Sequence, residues 1–169
     1  MKVRRNTLLL LACVVWSAAG FNVLRIGLTA YPAYSEILNY LLSALAMAGG
    51  VFYREFTKFN GFAAKTSLAV VHTHYFLLGM VFFLLLLLLE KSFSFTGART
   101  KRVLTTYHIG LNLTAVMLAV RGVTQVLGTA LSSGMDAAIS GMSGIGHILL
   151  GVSLVLLLVQ LRRAVLNNN

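Results

Sequence analysis

Two histidines stand inside one of the long apolar stretches of the sequence, in VVHTHYFLLGM at residues 70–80. His72 and His74 are followed by a further apolar run at residues 81–89, so both imidazoles fall at membrane depth when this stretch crosses a bilayer. An ionisable side chain at that depth is costly and is interpreted by default as part of a functional site. Imidazole there can ligate a metal or haem, relay protons, or hydrogen-bond to a neighbouring helix.

The composition places these histidines in an integral membrane protein. The chain has 169 residues, of which 58% are apolar, with four acidic residues and one proline. A net charge of +10 would suggest nucleic acid in a soluble chain, but all basic residues except Arg121 flank apolar runs, as in membrane proteins. We therefore expect a lipid bilayer, and no nucleic acid, as a partner. The single cysteine, Cys13, excludes an intrachain disulfide.

Five transmembrane helices are predicted, forming one all-α integral membrane bundle over residues 1–169, with a four-helix core and an N-terminal span. A helical bundle is favoured because backbone polar groups in lipid must be satisfied within each helix. The N-terminal run also resembles a signal peptide, and we favour an uncleaved span there. The basic residues divide too evenly between the two faces to fix the orientation. The predicted spans are about 7–29, 37–53, 66–90, 103–127 and 136–161.

Depth in the bilayer divides the polar groups of these spans into two sets. One set lies roughly 6–15 Å inside the face that carries residues 54–65, at about 1.5 Å per residue. Its members are His72, His74, Arg121 and His147. His108 lies well over 20 Å from that face on roughly the same arithmetic, so it belongs to a separate metal site or to none. Asn112 is expected to bond His108 or a facing carbonyl, and Tyr75 and Tyr107 to be ordinary membrane-helix aromatics.

The spacing of the two histidines in the third span disfavours zinc. Side chains two residues apart on a helix point about 200° apart, so His72 and His74 cannot easily ligate one ion. A zinc site needs three or four ligands that converge on one point. Each imidazole is therefore expected to serve a different partner.

Haem suits this layout, because an axial histidine from each of two facing helices can hold it in a bundle core. His74 and His147 are the expected ligands of a haem b iron, with His72 as the alternative to His74. Gly144 and Gly151 lie on the helix face of His147 and leave room for a porphyrin edge. The sequence therefore predicts a cofactor between the third and fifth spans.

Basic residues at or near the depth of His74 and His147 would complete a haem site. Arg121 is expected to pair with a haem propionate, as are Arg54 and Lys58 at the membrane surface. Two other interpretations of Arg121 stay open: an ion pair with Glu55, or a side chain that reaches the membrane surface.

Four segments together resemble known families. The order GGVFYREF, AVVHTHYFLLGM, YHIGLNLTAVM and SGIGHILLG resembles a family of small, uncharacterised bacterial membrane proteins. More distantly, residues 47–155 resemble the last four helices of the haem-copper oxidase catalytic subunit, chiefly at HxHY…GM and GxNLT. The resemblance implies that His72 takes the place of a high-spin haem ligand and His74 that of a low-spin haem ligand. The chain lacks the helices that bear the copper ligands, so oxygen reduction is not expected, and His147 has no counterpart in that pattern.

These observations favour a b-type cytochrome-like protein of the bacterial cytoplasmic membrane that transfers electrons, or senses or carries haem. One alternative is a proton or small-ion pathway lined by Glu55, His72, His74 and Arg121. Another is a cofactor-free structural or assembly subunit whose histidines only join helices. Besides lipid, the expected partners are a respiratory complex or further copies of the chain. The residues do not decide whether the protein is an enzyme.

Overall fold

The structure, a computed structural model, describes residues 35–167, with side chains described for residues 41–167. This part of the chain is helical and contains no strand, which confirms the all-α prediction. The expected span 7–29 lies outside the described residues. The helices are α1 (Ser35–Phe59), α2 (Ser67–Phe93), α3 (Ala98–Leu127) and α4 (Ser133–Asn167).

Three of these helices, α2, α3 and α4, are long and apolar enough to cross a membrane. The 25 residues of α1 reach about 37 Å, which is sufficient length, but α1 is not among the three. Its last turns carry Arg54, Glu55 and Lys58. Within residues 35–167 the structure thus shows three candidate spans where the sequence predicted four.

The helix ends differ from the predicted ones because local caps decide them. The connection between the spans predicted at 66–90 and 103–127 is four residues long, since α2 continues to Phe93 and α3 already begins at Ala98. The chain leaves α2 through Ser94, a left-handed residue with φ 45°, and the backbone N–H of Thr96 donates to the Glu90 carboxylate at 2.9 Å. Likewise, residues 54–59 continue α1 beyond the predicted end at 53, and residues 162–167 continue α4 beyond the predicted end at 161.

The helix α2 changes its winding along its length. It begins as a 3-10 turn, Ser67–Val70, passes through Val71–Thr73, and becomes a π-helix over His74–Val81 before the α-helical part Phe82–Phe93. Such π-helical turns inside α-helices are uncommon and occur often at functional sites. In this chain the π-helix begins at one of the two candidate histidines.

Small residues bring α3 close to both of its neighbours. A methyl group built on Gly122 would collide with Leu68 of α2, and one built on Gly110 would lie 2.9 Å from the carbonyl oxygen of Gly146 in α4. The hydroxyl of Thr66 also donates to the carbonyl of Gly122 at 3.0 Å. Close backbone approach of this kind is how membrane helices gain packing energy without a hydrophobic driving force. The helix α3 is therefore the centre against which α2 and α4 are placed.

Candidate functional site

The structure brings His74 of α2 and His147 of α4 together. Their ring centroids are 5.9 Å apart and the ring planes are nearly perpendicular, at 88°. His147 is exposed and His74 is partly exposed, so the pair faces outward from the described part of the bundle. The two imidazoles thus lie at a similar height along the bundle, as the residue count at about 1.5 Å per residue predicted.

Both rings are held in the same way by their own helices. His74 Nδ1 lies 2.8 Å from the carbonyl oxygen of Val70, and His147 Nδ1 lies 2.8 Å from that of Ser143. A carbonyl oxygen only accepts hydrogen bonds, so Nδ1 is the donor in each of these contacts, and in a neutral imidazole Nε2 is then the acceptor. A ring nitrogen bonded to a backbone carbonyl is the usual support of a metal-binding histidine, because it fixes both tautomer and orientation.

The separation of the rings suits a metal ion held between them. Metal–nitrogen bonds are about 2 Å long, so two imidazoles that shared one metal ion would have ring centres roughly 6 Å apart. The observed separation is 5.9 Å. An edge-to-face pair in direct contact also falls within roughly 4.5–7 Å, so the distance is compatible with both arrangements.

Open space surrounds His147 along its own helix. A methyl group built on Gly144 or Gly151 would meet no heavy atom within 4 Å among the described residues, apart from its immediate chain neighbours and nearby helix backbone. These glycines lie three residues before and four residues after His147, on its side of α4. The exposed face of α4 beside His147 is therefore free of side chains at these two positions, which is compatible with a flat group lying there.

His72 points to a different neighbour from His74. Its ring lies 6.5 Å from that of Tyr53 in α1, nearly parallel at 14°. A methyl group built on Gly50, also in α1, would lie 3.8 Å from the His72 ring. Its Nδ1 is buried and has no hydrogen-bond partner among the described residues. The two histidines thus serve opposite sides of α2, in agreement with their two-residue spacing.

His108 is apart from the histidine pair and deep in the helix packing. Its side chain is 4% exposed and its ring stacks on Phe83 of α2 at 4.6 Å. Its Nδ1 has no hydrogen-bond partner in the described region, and residues 35–167 contain no cluster of three or more metal-binding side chains. A multi-ligand metal site at His108 therefore has no structural support within that range.

Arg121 is held by the first turns of α4. Its Nη2 lies 2.9 Å from Oδ1 of Asp136 and 2.6 Å from the hydroxyl oxygen of Ser140. Because His147 follows Ser140 by seven residues, this cluster lies about 10 Å along α4 from the histidine pair. The ion pair with Glu55, which the sequence left open for Arg121, is not what the structure shows.

The other predicted basic residues belong to α1. Arg54 is exposed and lies 3.8 Å from Glu55, and Lys58 is exposed in the last turn of the helix. Among the described residues of α1, Gly50 and Tyr53 lie beside the His72 ring. Arg54 and Lys58 therefore lie on the helix that faces His72, and not on a helix that carries His74 or His147.

Sequence reasoning missed the tyrosines that tie α2 to α3. The Tyr107 hydroxyl donates to the carbonyl of Leu78 at 2.7 Å, and the Tyr75 hydroxyl donates to the amide oxygen of Asn112 at 3.0 Å. Both were expected to be ordinary aromatics. Their phenol groups at membrane depth were the available signal, since a buried tyrosine hydroxyl usually finds a partner.

A family model described as a protein of unknown function, DUF2871, matches residues 34–164. The match covers all four described helices except the last residues of α4, and it includes every histidine discussed above. No curated protein and no solved structure matches the chain.

Proposed function

This chain belongs to the DUF2871 family of proteins of unknown function, and we propose that it is a membrane haem-binding protein of b-type cytochrome character. His74 and His147 would be the two axial ligands of one haem b. Its role would be electron transfer, or haem sensing or handling, in the cytoplasmic membrane of a bacterium. The proposal concerns α2, α3 and α4, the three helices long and apolar enough to span a bilayer.

One observation carries the proposal. Two imidazoles from different helices lie 5.9 Å apart, and each has its Nδ1 at 2.8 Å from a carbonyl of its own helix, so that both Nε2 atoms are available to a metal. The identical support of both rings favours ligation of a shared centre.

The remaining groups would shape the site and its charge. Gly144 and Gly151 leave open the face of α4 beside His147, where the porphyrin would lie. Arg121 would compensate a propionate, with its guanidinium held by Asp136 and Ser140 about 10 Å along α4 from His147. The two carbonyl-bound imidazoles would donate strongly to the iron. Bound haem would supply one-electron redox chemistry, and the protein would tune it through ligands, burial and nearby charge.

The distant resemblance to haem-copper oxidases remains part of this proposal. In support, His72 and His74 face different sides of α2, as two residues with separate partners should. The pairing of His74 with His147 departs from that pattern, since the oxidase helices offer no counterpart of His147. We therefore propose a cytochrome-like site that does not reduce oxygen.

The proposed proton or ion pathway receives no comparable support. Its four groups are divided: Glu55 lies beside Arg54, Arg121 is bound to Asp136, and the two histidines face opposite sides of α2. The cofactor-free assembly role differs from ours in predicting a colourless protein. Haem content therefore separates the two.

The experiment is an absorption spectrum of the protein purified after expression with ample haem precursor. We expect a reduced-minus-oxidised spectrum of a six-coordinate b haem, with about one haem per chain by pyridine haemochrome. His74→Ala and His147→Ala should each lose that spectrum, and His72→Ala is the matched control that should keep it. Colourless wild-type protein would refute the proposal, and loss of haem only in His72→Ala would move the ligand to His72.

A further inference from the structure

The π-helical turn that begins at His74 leaves one carbonyl without its α-helical donor. In an α-helix the N–H of Phe82 would donate to the carbonyl of Leu78, four residues earlier. Here that N–H donates to the carbonyls of Leu77 and Gly79 instead. The oxygen of Leu78 accepts a hydrogen bond at 2.7 Å from the hydroxyl of Tyr107, which belongs to α3. A neighbouring helix therefore supplies a donor to the π turn.

The ring of Tyr107 is fixed by aromatic packing, so its hydroxyl is aimed at this carbonyl. Tyr107 is 1% exposed, and its ring stacks on Phe82 at 4.7 Å and meets Phe83 edge-on at 5.8 Å. The Tyr107 hydroxyl thus supplies a donor to a carbonyl that has lost its α-helical one, and this favours the π form over an uninterrupted α-helix.

A second hydrogen bond from α3 holds the start of the same turn. Tyr75, which directly follows His74, is fully buried and donates to the amide oxygen of Asn112 at 3.0 Å. The amide nitrogen of Asn112 donates to the carbonyl of His108 at 2.9 Å, which fixes the orientation of the amide. The π turn is thus held by α3 at Tyr75 and again at Leu78.

The winding of this turn decides where His74 points. A π turn contains one residue more than an α turn, and one residue corresponds to about 100° around the helix. If Phe83 and Leu86 kept their buried positions in an uninterrupted α-helix, His74 would point about 100° away from its present direction. It would then no longer face His147.

We infer that Tyr107 and Asn112 are positioning residues that set the His74 ring against His147 by stabilising the π turn. The inference rests on the proposed function, since it assigns these residues to the orientation of a haem ligand. Neither residue touches the histidine pair in the structure, and each acts through α2. The hydroxyl of Tyr107 gives the more specific test, because it can be removed while its ring stays packed.

The test compares wild type, Tyr107→Phe and the matched control Thr106→Val for binding of carbon monoxide to the reduced haem. Thr106 is the preceding residue of α3, and its hydroxyl bonds only the carbonyl of Arg102 in the same helix. A six-coordinate haem excludes carbon monoxide, whereas release of His74 opens the site. We expect the carbon-monoxide-binding fraction to rise roughly tenfold in Tyr107→Phe, which corresponds to about 1.4 kcal/mol, and to stay unchanged in Thr106→Val.

The outcomes separate the two proposals. Wild-type protein without haem removes the proposed function and this inference with it. Wild-type protein with six-coordinate haem, together with an unchanged Tyr107→Phe variant, overturns the inference alone. Where Tyr107→Phe does not accumulate in the membrane, Tyr75→Phe removes the other hydrogen bond to the turn and is expected to raise the same fraction, and no rise would contradict the inference.

Discussion

Replacing Gly146 by alanine should push α4 away from α3. A methyl group there would lie 2.9 Å from the backbone nitrogen of Thr114 and 3.1 Å from the carbonyl oxygen of Gly110, and it would overlap the Thr114 hydroxyl. Ordinary carbon contacts lie at about 3.5–4.0 Å, so the helices must separate by about half an ångström or more. The hydroxyl can rotate away, whereas the two backbone atoms cannot. Overpacking of this kind typically costs about 1–3 kcal/mol.

The intrinsic effect of the substitution has the opposite sign and has to be measured separately. Alanine stabilises a helix interior by up to about 1 kcal/mol relative to glycine. Gly141→Ala, in the same helix, is the matched control, because a methyl group there meets no heavy atom within 4 Å. We expect Gly141→Ala to be neutral or slightly stabilised, and Gly146→Ala to be less stable than Gly141→Ala by roughly 1–3 kcal/mol, which leaves it roughly 0–2 kcal/mol below wild type.

The assay is reversible unfolding in mixed micelles, followed by far-ultraviolet circular dichroism as denaturing detergent is added. The free energies of unfolding of wild type, Gly141→Ala and Gly146→Ala are compared under identical conditions. Equal stability of the two variants would refute the close α3–α4 contact from which the cost was calculated. Because His147 directly follows Gly146, the destabilised variant should also bind less haem under the proposed function.

Three further predictions address the charged cluster, the second buried histidine and the open face of α4. Arg121→Ala should lower the free energy of unfolding by about 1 kcal/mol, whereas replacing the exposed Arg54 by alanine should change it by less than about 0.5 kcal/mol. Both values are measured by detergent unfolding, and equal effects would contradict a stabilising role for the Arg121–Asp136–Ser140 cluster. His108→Phe should retain the stack on Phe83 and the wild-type haem spectrum, and loss of haem would identify His108 as a ligand. Gly144→Leu should lower haem content several-fold without loss of stability, and full haem content would exclude that face as the porphyrin surface.

The helices and the histidine pair could be predicted because both follow from counting residues. Long apolar runs identify spanning helices, and a rise of about 1.5 Å per residue converts position into depth. That arithmetic put His74 and His147 near one level, and the structure places their rings 5.9 Å apart. The opposite directions of His72 and His74 likewise follow from the helical period alone.

The π turn and its hydrogen bonds were beyond reach of the sequence. The segment FLLGMVFFLLLLLL is apolar all round, so its hydrophobic pattern has no period that could reveal an extra residue. The partners Tyr107 and Leu78 are 29 residues apart on different helices, and their pairing depends on how α2 and α3 are aligned. Alignment of that kind is decided by packing, for example by the contact of Gly122 with Leu68.

The partner of Arg121 was missed for a related reason. Only a five-residue connection, 128–132, separates α3 from α4, so the first turn of α4 returns beside the last turns of α3. Asp136 is thereby brought to 2.9 Å from Arg121. A short connection between antiparallel helices was the available signal, because it makes residues on either side of the turn neighbours.

The ferric electron paramagnetic resonance spectrum of the wild-type protein tests the central claim most directly. Two axial imidazoles with perpendicular planes, as His74 and His147 have at 88°, give a strongly anisotropic low-spin signal instead of the rhombic signal of parallel planes. We predict that anisotropic low-spin signal, and its loss in His147→Ala. A high-spin signal in the wild type, or protein that carries no haem at all, would contradict the account.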